Sequence, residues 1–391
     1  MDLLMRFEVA RRYPWDRVKM LQQSTSAPRL HGRRLAGLIV FGFAAFISPI
    51  LVASPASAHG LGGPQPTNVD ITVRGTEPEI LGISVRMINL GYLIELKNAG
   101  PNAVVVIGYD REPYLRIGPD GVEVNRLSPA TFLNRSATPS GILPHGLDAR
   151  AKPRWESISK DPTAQWHDHR AHWMGRGPVH DAEWSVPLII KTRVANPEGG
   201  ASIVGTLNSV AAPSAFPWAL IAAVTALALG ALGLTRRWVG ILICALFVIT
   251  VSEALHIAGT WGAWSAGIPN RLLGLAPSLF TLVFSVIALL VLVARRSSRP
   301  DSATPLALIA GIFIAISGGL ADLSTFTHAF APTTLSMPIA RLTVALAIGG
   351  GIGVAIIAGS HLKPDGQMQQ DDDQNGAQDS TQDSAADSVA G

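Results

Sequence analysis

Between residues 217 and 360 the chain passes through five apolar segments, near 217–235, 238–258, 273–294, 304–322 and 336–360. Each is long enough to cross a bilayer as a helix. That stretch of chain holds only 7 Lys/Arg and 3 Asp/Glu. A soluble core has no place for five such runs, so the segment is expected to form a membrane bundle. Composition agrees: of 391 residues, 48% are hydrophobic and 15% charged, against about 25% charged in ordinary soluble domains. The apolar excess also excludes a disordered chain, except at the acidic C-terminus.

The flanks of these segments predict their orientation. Arg236 and Arg237 follow the first, and Arg295, Arg296 and Arg299 follow the third. The positive-inside rule assigns both clusters to the cytoplasm, which places whatever precedes residue 217 outside it. The N-terminus gives an independent reason. Residues 1–58 carry 8 Lys/Arg against 3 Asp/Glu, then an apolar run from Leu35 to Ala53, then Ala56-Ser57-Ala58. This is the order of a secretory signal peptide cleaved before His59; retained, its 19 apolar residues would serve as an anchor. Residues 361–391, with 1 Lys and 7 Asp, read as a disordered acidic tail in the cytoplasm. The protein is therefore expected in the plasma membrane, multi-pass, with residues 59–216 extracytoplasmic.

Residues 59–216 have the length of one domain and balance 15 Lys/Arg against 15 Asp/Glu. The net charge of +3 thus reflects topology signals, and no nucleic-acid patch is expected. Short β-rich runs recur at Val69–Val73, Ile80–Ile88, Tyr92–Leu96, Val104–Tyr109, Gly121–Val124, Trp184–Thr192 and Ser202–Val210. Asn98–Asn102 and Asn196–Gly200 supply turn residues between them. The expectation is an all-β sandwich of immunoglobulin or cupredoxin type. Residues 127–183, rich in Pro, Gly, His and Trp, read as long loops on one end of it, where function usually resides.

Those loops hold the densest group of the ten histidines: Trp166-His167-Asp168-His169-Arg170-Ala171-His172-Trp173-Met174. On an extended chain His167 and His169 share a face, a spacing that lets two imidazoles take one ion, while His172 faces away. On a helix the pair is His169 and His172. Pro162 and Pro178 favour the extended form. Cleavage before His59 would add a free α-amino group, which can lose its proton and chelate together with its own imidazole. A nitrogen-rich set of His59, His167 and His169 favours Cu(II), with zinc less favoured; His172 and His145 are further donors and Met174 a soft ligand for Cu(I). The single cysteine, Cys244, lies in a membrane segment, so a thiolate copper centre and an internal disulfide are both excluded.

His59-Gly60 together with Trp166-His167-Asp168-His169 resembles the exported copper site of the particulate methane monooxygenase B subunit, and the brace of N-terminal-histidine copper carriers of the CopC kind. The longer run Trp-His-Asp-His-Arg-x-His-Trp-Met, with Tyr109–Tyr114 upstream, is similar to a group of bacterial exported membrane proteins. The first resemblance implies copper at a few residues; oxygenase activity does not follow, because one β-domain and five spans depart from that subunit's plan. The second implies architecture alone. The same loop also has a purely structural reading, in which Asp168 pairs with Arg170 or His172 and no metal is involved.

Ionisable groups inside spans are functional candidates. Glu253 and His256 lie three residues apart on one face of the second segment. Asp322 ends the fourth, His328 follows it, Arg341 begins the fifth and Arg271 precedes the third. Glu253 stands roughly 22 Å from the cytoplasmic start of its helix at 1.5 Å per residue, so all belong to the extracytoplasmic half. They read either as a metal or proton relay beneath the exported histidines or as ion pairs, Glu253–Arg341 or Asp322–Arg341, that lock the bundle. Gly349-Gly-Gly351-x-Gly353 has helix-packing spacing. The functional expectation is extracytoplasmic copper handling or delivery, with a copper-trafficking or membrane-protein partner. The alternative is a scaffold protein whose histidine loop is structural or contacts a partner. No Ser-His-Asp, His-Glu-x-x-His or paired-carboxylate signature points to an enzyme.

Overall fold

The computed structural model describes residues 64–135, 142–175, 177–191 and 200–362. The signal segment, His59 and the acidic tail lie outside these residues.

Among the described residues, ten strands form two antiparallel sheets. The larger has the order β1(Val69–Glu77), β10(Gly200–Ser209), β9(Ala182–Lys191), β4(Ala103–Ile107), β5(Pro113–Gly118), β6(Gly121–Asn125), β7(Trp155–Ser159). The smaller is β2(Ile83–Ile88), β3(Leu93–Asn98), β8(Thr163–Trp166). Alternation explains how they meet. In β3 the buried residues include Ile94 and Leu96, which face Trp166 and Ala164 across the ladder to β8. These four join Val104, Val106, Ile117, Val186, Leu188 and Ile203 of the larger sheet in one apolar core. A side-chain period of two is what lets each strand turn one face inward.

The expected strands are all present, but residues 127–183 hold more order than loops. They contain α1(Pro129–Leu133), capped by the Ser128 side chain, and the short strands β7 and β8. β7 (Trp-Glu-Ser-Ile-Ser) is largely exposed and β8 has only four residues, so neither carries an apolar pattern that stands out in the sequence. β5 is not marked in the sequence either, because it opens on Pro113, a residue that usually discourages a strand assignment.

Among the described residues, five helical elements are long and apolar enough to cross a membrane, so the chain is a multi-pass membrane protein in contact with lipid. They are α2(Phe216–Gly233), α3(Trp238–Ala263), α5(Ala276–Arg295), the stretch Pro300–Phe326 and α7(Met337–Ser360). A short α4(Ile268–Gly274) lies between α3 and α5. Their exposed residues are apolar, among them Leu227, Phe247, Val248, Val283 and Leu290, as a lipid-facing surface requires. The fourth span is irregular: α6(Thr304–Phe313) widens into a π-helical turn at Ile314–Gly319 and then tightens into a 3-10 stretch to Phe326.

The glycine run of α7 serves three neighbours. Gly349 and Gly353 lie against Ala222 and Leu229 of α2, Gly350 against Ile249 of α3, and Gly351 against Gly311 and Ala315 of the fourth span. Where no hydrophobic force separates helix from lipid, such close approach supplies the packing energy.

Two sets of bonds join the β region to one end of the bundle. Thr67 and Phe330 exchange backbone hydrogen bonds at 3.0 Å, with Asn68 bonding Ala329 and Thr327 beside them. Asn89 accepts from the Ser265 N–H at 2.7 Å, just beyond α3. Arg236, Arg237, Arg295, Arg296 and Arg299 connect the spans at the opposite end.

Candidate metal centre

The loop after β8 brings His167, His169 and His172 into one cluster. His167 and Asp168 continue the extended chain, and then His169–Ala171 make one 3-10 turn that Asp168 caps through its own side chain. Neither uniform conformation considered for this loop is the one adopted. The mixed path folds His172 back, so that it does not face away: its ring centroid is 4.1 Å from that of His167, which is 4.7 Å from that of His169.

Asp168 holds this turn. Its carboxylate is fully buried and accepts from Trp166 Nε1 at 3.2 Å, Arg170 Nε at 2.9 Å and Arg170 Nη2 at 2.8 Å. Arg170 also donates to the Ile107 carbonyl at 3.0 Å and lies over the Tyr109 ring. Tyr109 in turn hydrogen-bonds Asn134 and accepts from the His169 N–H at 3.0 Å. Burial first, and then the Asp168 charge, holds the Tyr109 hydroxyl above its ordinary range. The Asp168–Arg170 pair of the structural reading is thus present, and the imidazoles stand beside it.

Each imidazole spends one nitrogen on a backbone carbonyl. His167 Nδ1 donates to Tyr92 at 2.9 Å, His169 Nε2 to Leu133 at 3.1 Å, and His172 Nδ1 to Asp168 at 2.9 Å. A carbonyl only accepts, so the proton must sit on those nitrogens. The other nitrogen of each ring, His167 Nε2, His169 Nδ1 and His172 Nε2, is buried without a hydrogen-bond partner. Burial, reinforced by the His172 ring, pushes the His167 imidazole down to about 4; burial also lowers His172. At neutral pH these two rings are neutral and carry lone pairs on the partnerless nitrogens. A carbonyl behind the ring is the usual support of a metal-binding histidine, because it fixes tautomer and orientation.

The donor chemistry fits a nitrogen-preferring ion, yet the rings are packed on one another. Among the described residues no group of three or more His, Cys, Asp or Glu side chains is already arranged to hold a metal ion. Met174 is exposed beyond His172, as are His145 and His180. Tyr109 stands in the run Tyr109–Tyr114 noted in the sequence, but Tyr92, Leu133 and Asn134 carry no sequence signal: the first two act through carbonyls, which any residue has, and Asn134 acts through Tyr109.

In the membrane the buried pair is His256 with Asp322, at 3.0 Å. Glu253 lies one turn away on α3. Arg341 joins neither carboxylate as the expected ion pairs required; it donates to the carbonyls of Thr325 at 3.1 Å and His328 at 2.9 Å. The irregular end of the fourth span exposes those carbonyls, and a guanidinium satisfies them. His328 Nδ1 turns to the Ser324 carbonyl at 2.8 Å, outside the buried group.

No family model matches this chain, and neither a curated protein nor a solved structure matches it.

Proposed function

We propose that the protein is a membrane-anchored copper-binding protein whose site is built from His167, His169 and His172 on the extracytoplasmic side. One observation carries the reading: three adjacent imidazoles each have a carbonyl behind them and a buried nitrogen with no partner. Leaving a buried polar atom unsatisfied costs about 1–3 kcal/mol. Three such atoms in one cluster are a cost that a bound ion would relieve. An all-nitrogen set favours copper in the affinity order of divalent metals. Small turns of the rings about χ2, a broad torsion in histidine, would open space for the ion. The mature N-terminus at His59, with its amine, is the natural further donor, and Met174 a soft one for Cu(I).

The two sheets sharing one core support a β-sandwich of immunoglobulin or cupredoxin type as the carrier of the site. The β region meets the bundle at the end away from the arginine clusters, which supports an extracytoplasmic placement under the positive-inside rule. Copper handling or delivery to a partner is the role that such a placement serves.

The test uses the full chain, purified in detergent with its processed N-terminus and titrated with Cu(II). The expected outcome is one ion with a nitrogen-dominated electron paramagnetic resonance signal, lost in H167A/H169A while circular dichroism is unchanged. Undiminished binding in H167A/H169A/H172A, or none in the parent chain, would reject the copper site and leave the structural reading of the loop. A residue added before His59 should weaken binding if the amine is a ligand.

A further inference from the structure

Below the β region, α3 turns a polar face into the bundle. Glu253, His256 and Thr260 follow one another at helical spacing, and all three are buried. Ser278 of α5 and Ser317 and Asp322 of the fourth span are buried with them. The π-helical turn has a visible purpose here: a Cβ at Gly318 would stand 2.5 Å from Glu253 Oε2, so the widened, side-chain-free turn makes room for the carboxyl group. Turns of this kind recur at functional sites.

Glu253 is only 2% exposed. Ser278 is within hydrogen-bonding reach of it, while its Oε1 has no partner, nor has the Ser317 hydroxyl. Next to His256 and Asp322 is a small cavity, roofed by Pro66, Ala331, Pro332 and Thr333, with room for about one water molecule. Pro66 leads directly into the β region, so the cavity lies at the extracytoplasmic end of the proposed topology.

Charge counting decides what such a site takes. With His256 and Asp322 as imidazolium and carboxylate, an ionised Glu253 leaves one negative charge among apolar helices. An uncompensated buried charge costs several kcal/mol. The cations at this end point elsewhere: Arg341 to the Thr325 and His328 carbonyls, Arg271 to those of Trp261 and Ala266. His328 faces Ser324 and Thr327. The cavity admits a water molecule and is too small for a hydrated metal ion.

We propose that Glu253, His256 and Asp322 form an intramembrane proton-binding site, loaded from the side of the β region through this cavity. A hydronium ion in the cavity gives its proton by way of the His256–Asp322 pair to Glu253, where the carboxylate becomes a neutral acid and one water is left behind. Release reverses the transfer, with no change in oxidation state. The site does not depend on copper at the histidine cluster.

Infrared difference spectroscopy tests it on the full chain in lipid nanodiscs, across a pH step and with water and sodium ions as the only probes. A carbonyl band of a protonated acid, slow to exchange with deuterium, should appear on acidification. It should shift in protein made with 13C-glutamate, vanish in Glu253→Gln and persist in Glu112→Gln, which removes a glutamate that is buried in the β region beside β5. Should E253Q fail to fold, E253D keeps the acid and must displace the band. Absence of the band overturns the proposal, as does a shift with 13C-aspartate instead, a band unmoved in E253D, or its loss on adding sodium at constant pH.

Discussion

His167 and Tyr92 meet twice: the imidazole Nδ1 donates to the Tyr92 carbonyl at 2.9 Å, and the two rings lie with centroids 4.7 Å apart. Tyr92 follows a turn in which Asn89, Leu90 and Gly91 all have positive φ, of 54°, 58° and 84°. For leucine this conformation costs roughly 1–2 kcal/mol, which the surrounding contacts must offset. Asn89, at the start of the turn, holds Ser265 beyond α3. One tight turn therefore lies between the histidine cluster and the segment just beyond the helix that carries Glu253 and His256.

Replacing Asn89 by alanine removes the acceptor of the Ser265 amide and places alanine at a positive φ. Hydrogen exchange should quicken at Ser265, by about tenfold for a lost bond worth about 1.4 kcal/mol. Unchanged exchange there would show that the turn does not hold the two regions together.

Asp168→Asn leaves the Arg170 guanidinium without its carboxylate in a half-buried position. Breaking a buried pair on one side costs about 3–5 kcal/mol. The β region should melt at lower temperature in D168N and in R170A, and the double variant should lose less than the sum of the two. Additive losses would mean that the pair contributes no coupling.

Acid should weaken the metal-free β region in a defined window. His167 has a depressed folded value of about 4 against an ordinary 6.5, so between these limits the unfolded chain binds more protons. Stability is complete above about pH 6.5 and falls as pH drops toward 4, with His172 adding in the same direction. Allowing for solvent screening, the loss is about 1–2 kcal/mol. Thermal melting followed from pH 7 to pH 4 should show it, and His167→Gln should flatten that slope. An equal slope in the variant would assign the acid sensitivity elsewhere.

Gly351→Ala should disturb the bundle more than most alanine substitutions. Its new Cβ would meet Gly311 O at 2.6 Å and Ala315 N at 2.7 Å, backbone atoms that cannot rotate away. Overpacking of this kind costs about 1–3 kcal/mol. Detergent-solubilised protein should lose thermal stability by that order, whereas Gly240→Ala, with open space around it, should be near neutral. Equal stability of the two variants would count against the close contact of α7 with the fourth span.

Much of the architecture was legible beforehand because it rests on local pattern. The five spans and seven of the strands announce themselves by apolar length or by period two, properties of neighbouring residues. The histidine loop was legible as a cluster of residue types, but not as a conformation. Its single 3-10 turn depends on Asp168 capping the chain and on Arg170 reaching Ile107, a contact across 63 residues.

The sequence by itself determined that this chain enters the membrane, where it does so, and which residues could carry chemistry. Those outcomes follow from apolar length and residue identity, which need no folded partner. Only the tertiary structure decided which groups meet. It set His172 against His167, paired His256 with Asp322, and turned Arg341 to the carbonyls of Thr325 and His328. It also placed carbonyls from residues as distant as Tyr92 behind the imidazoles. A backbone carbonyl is the same in every residue, so its role exists only once the fold has brought it to its partner.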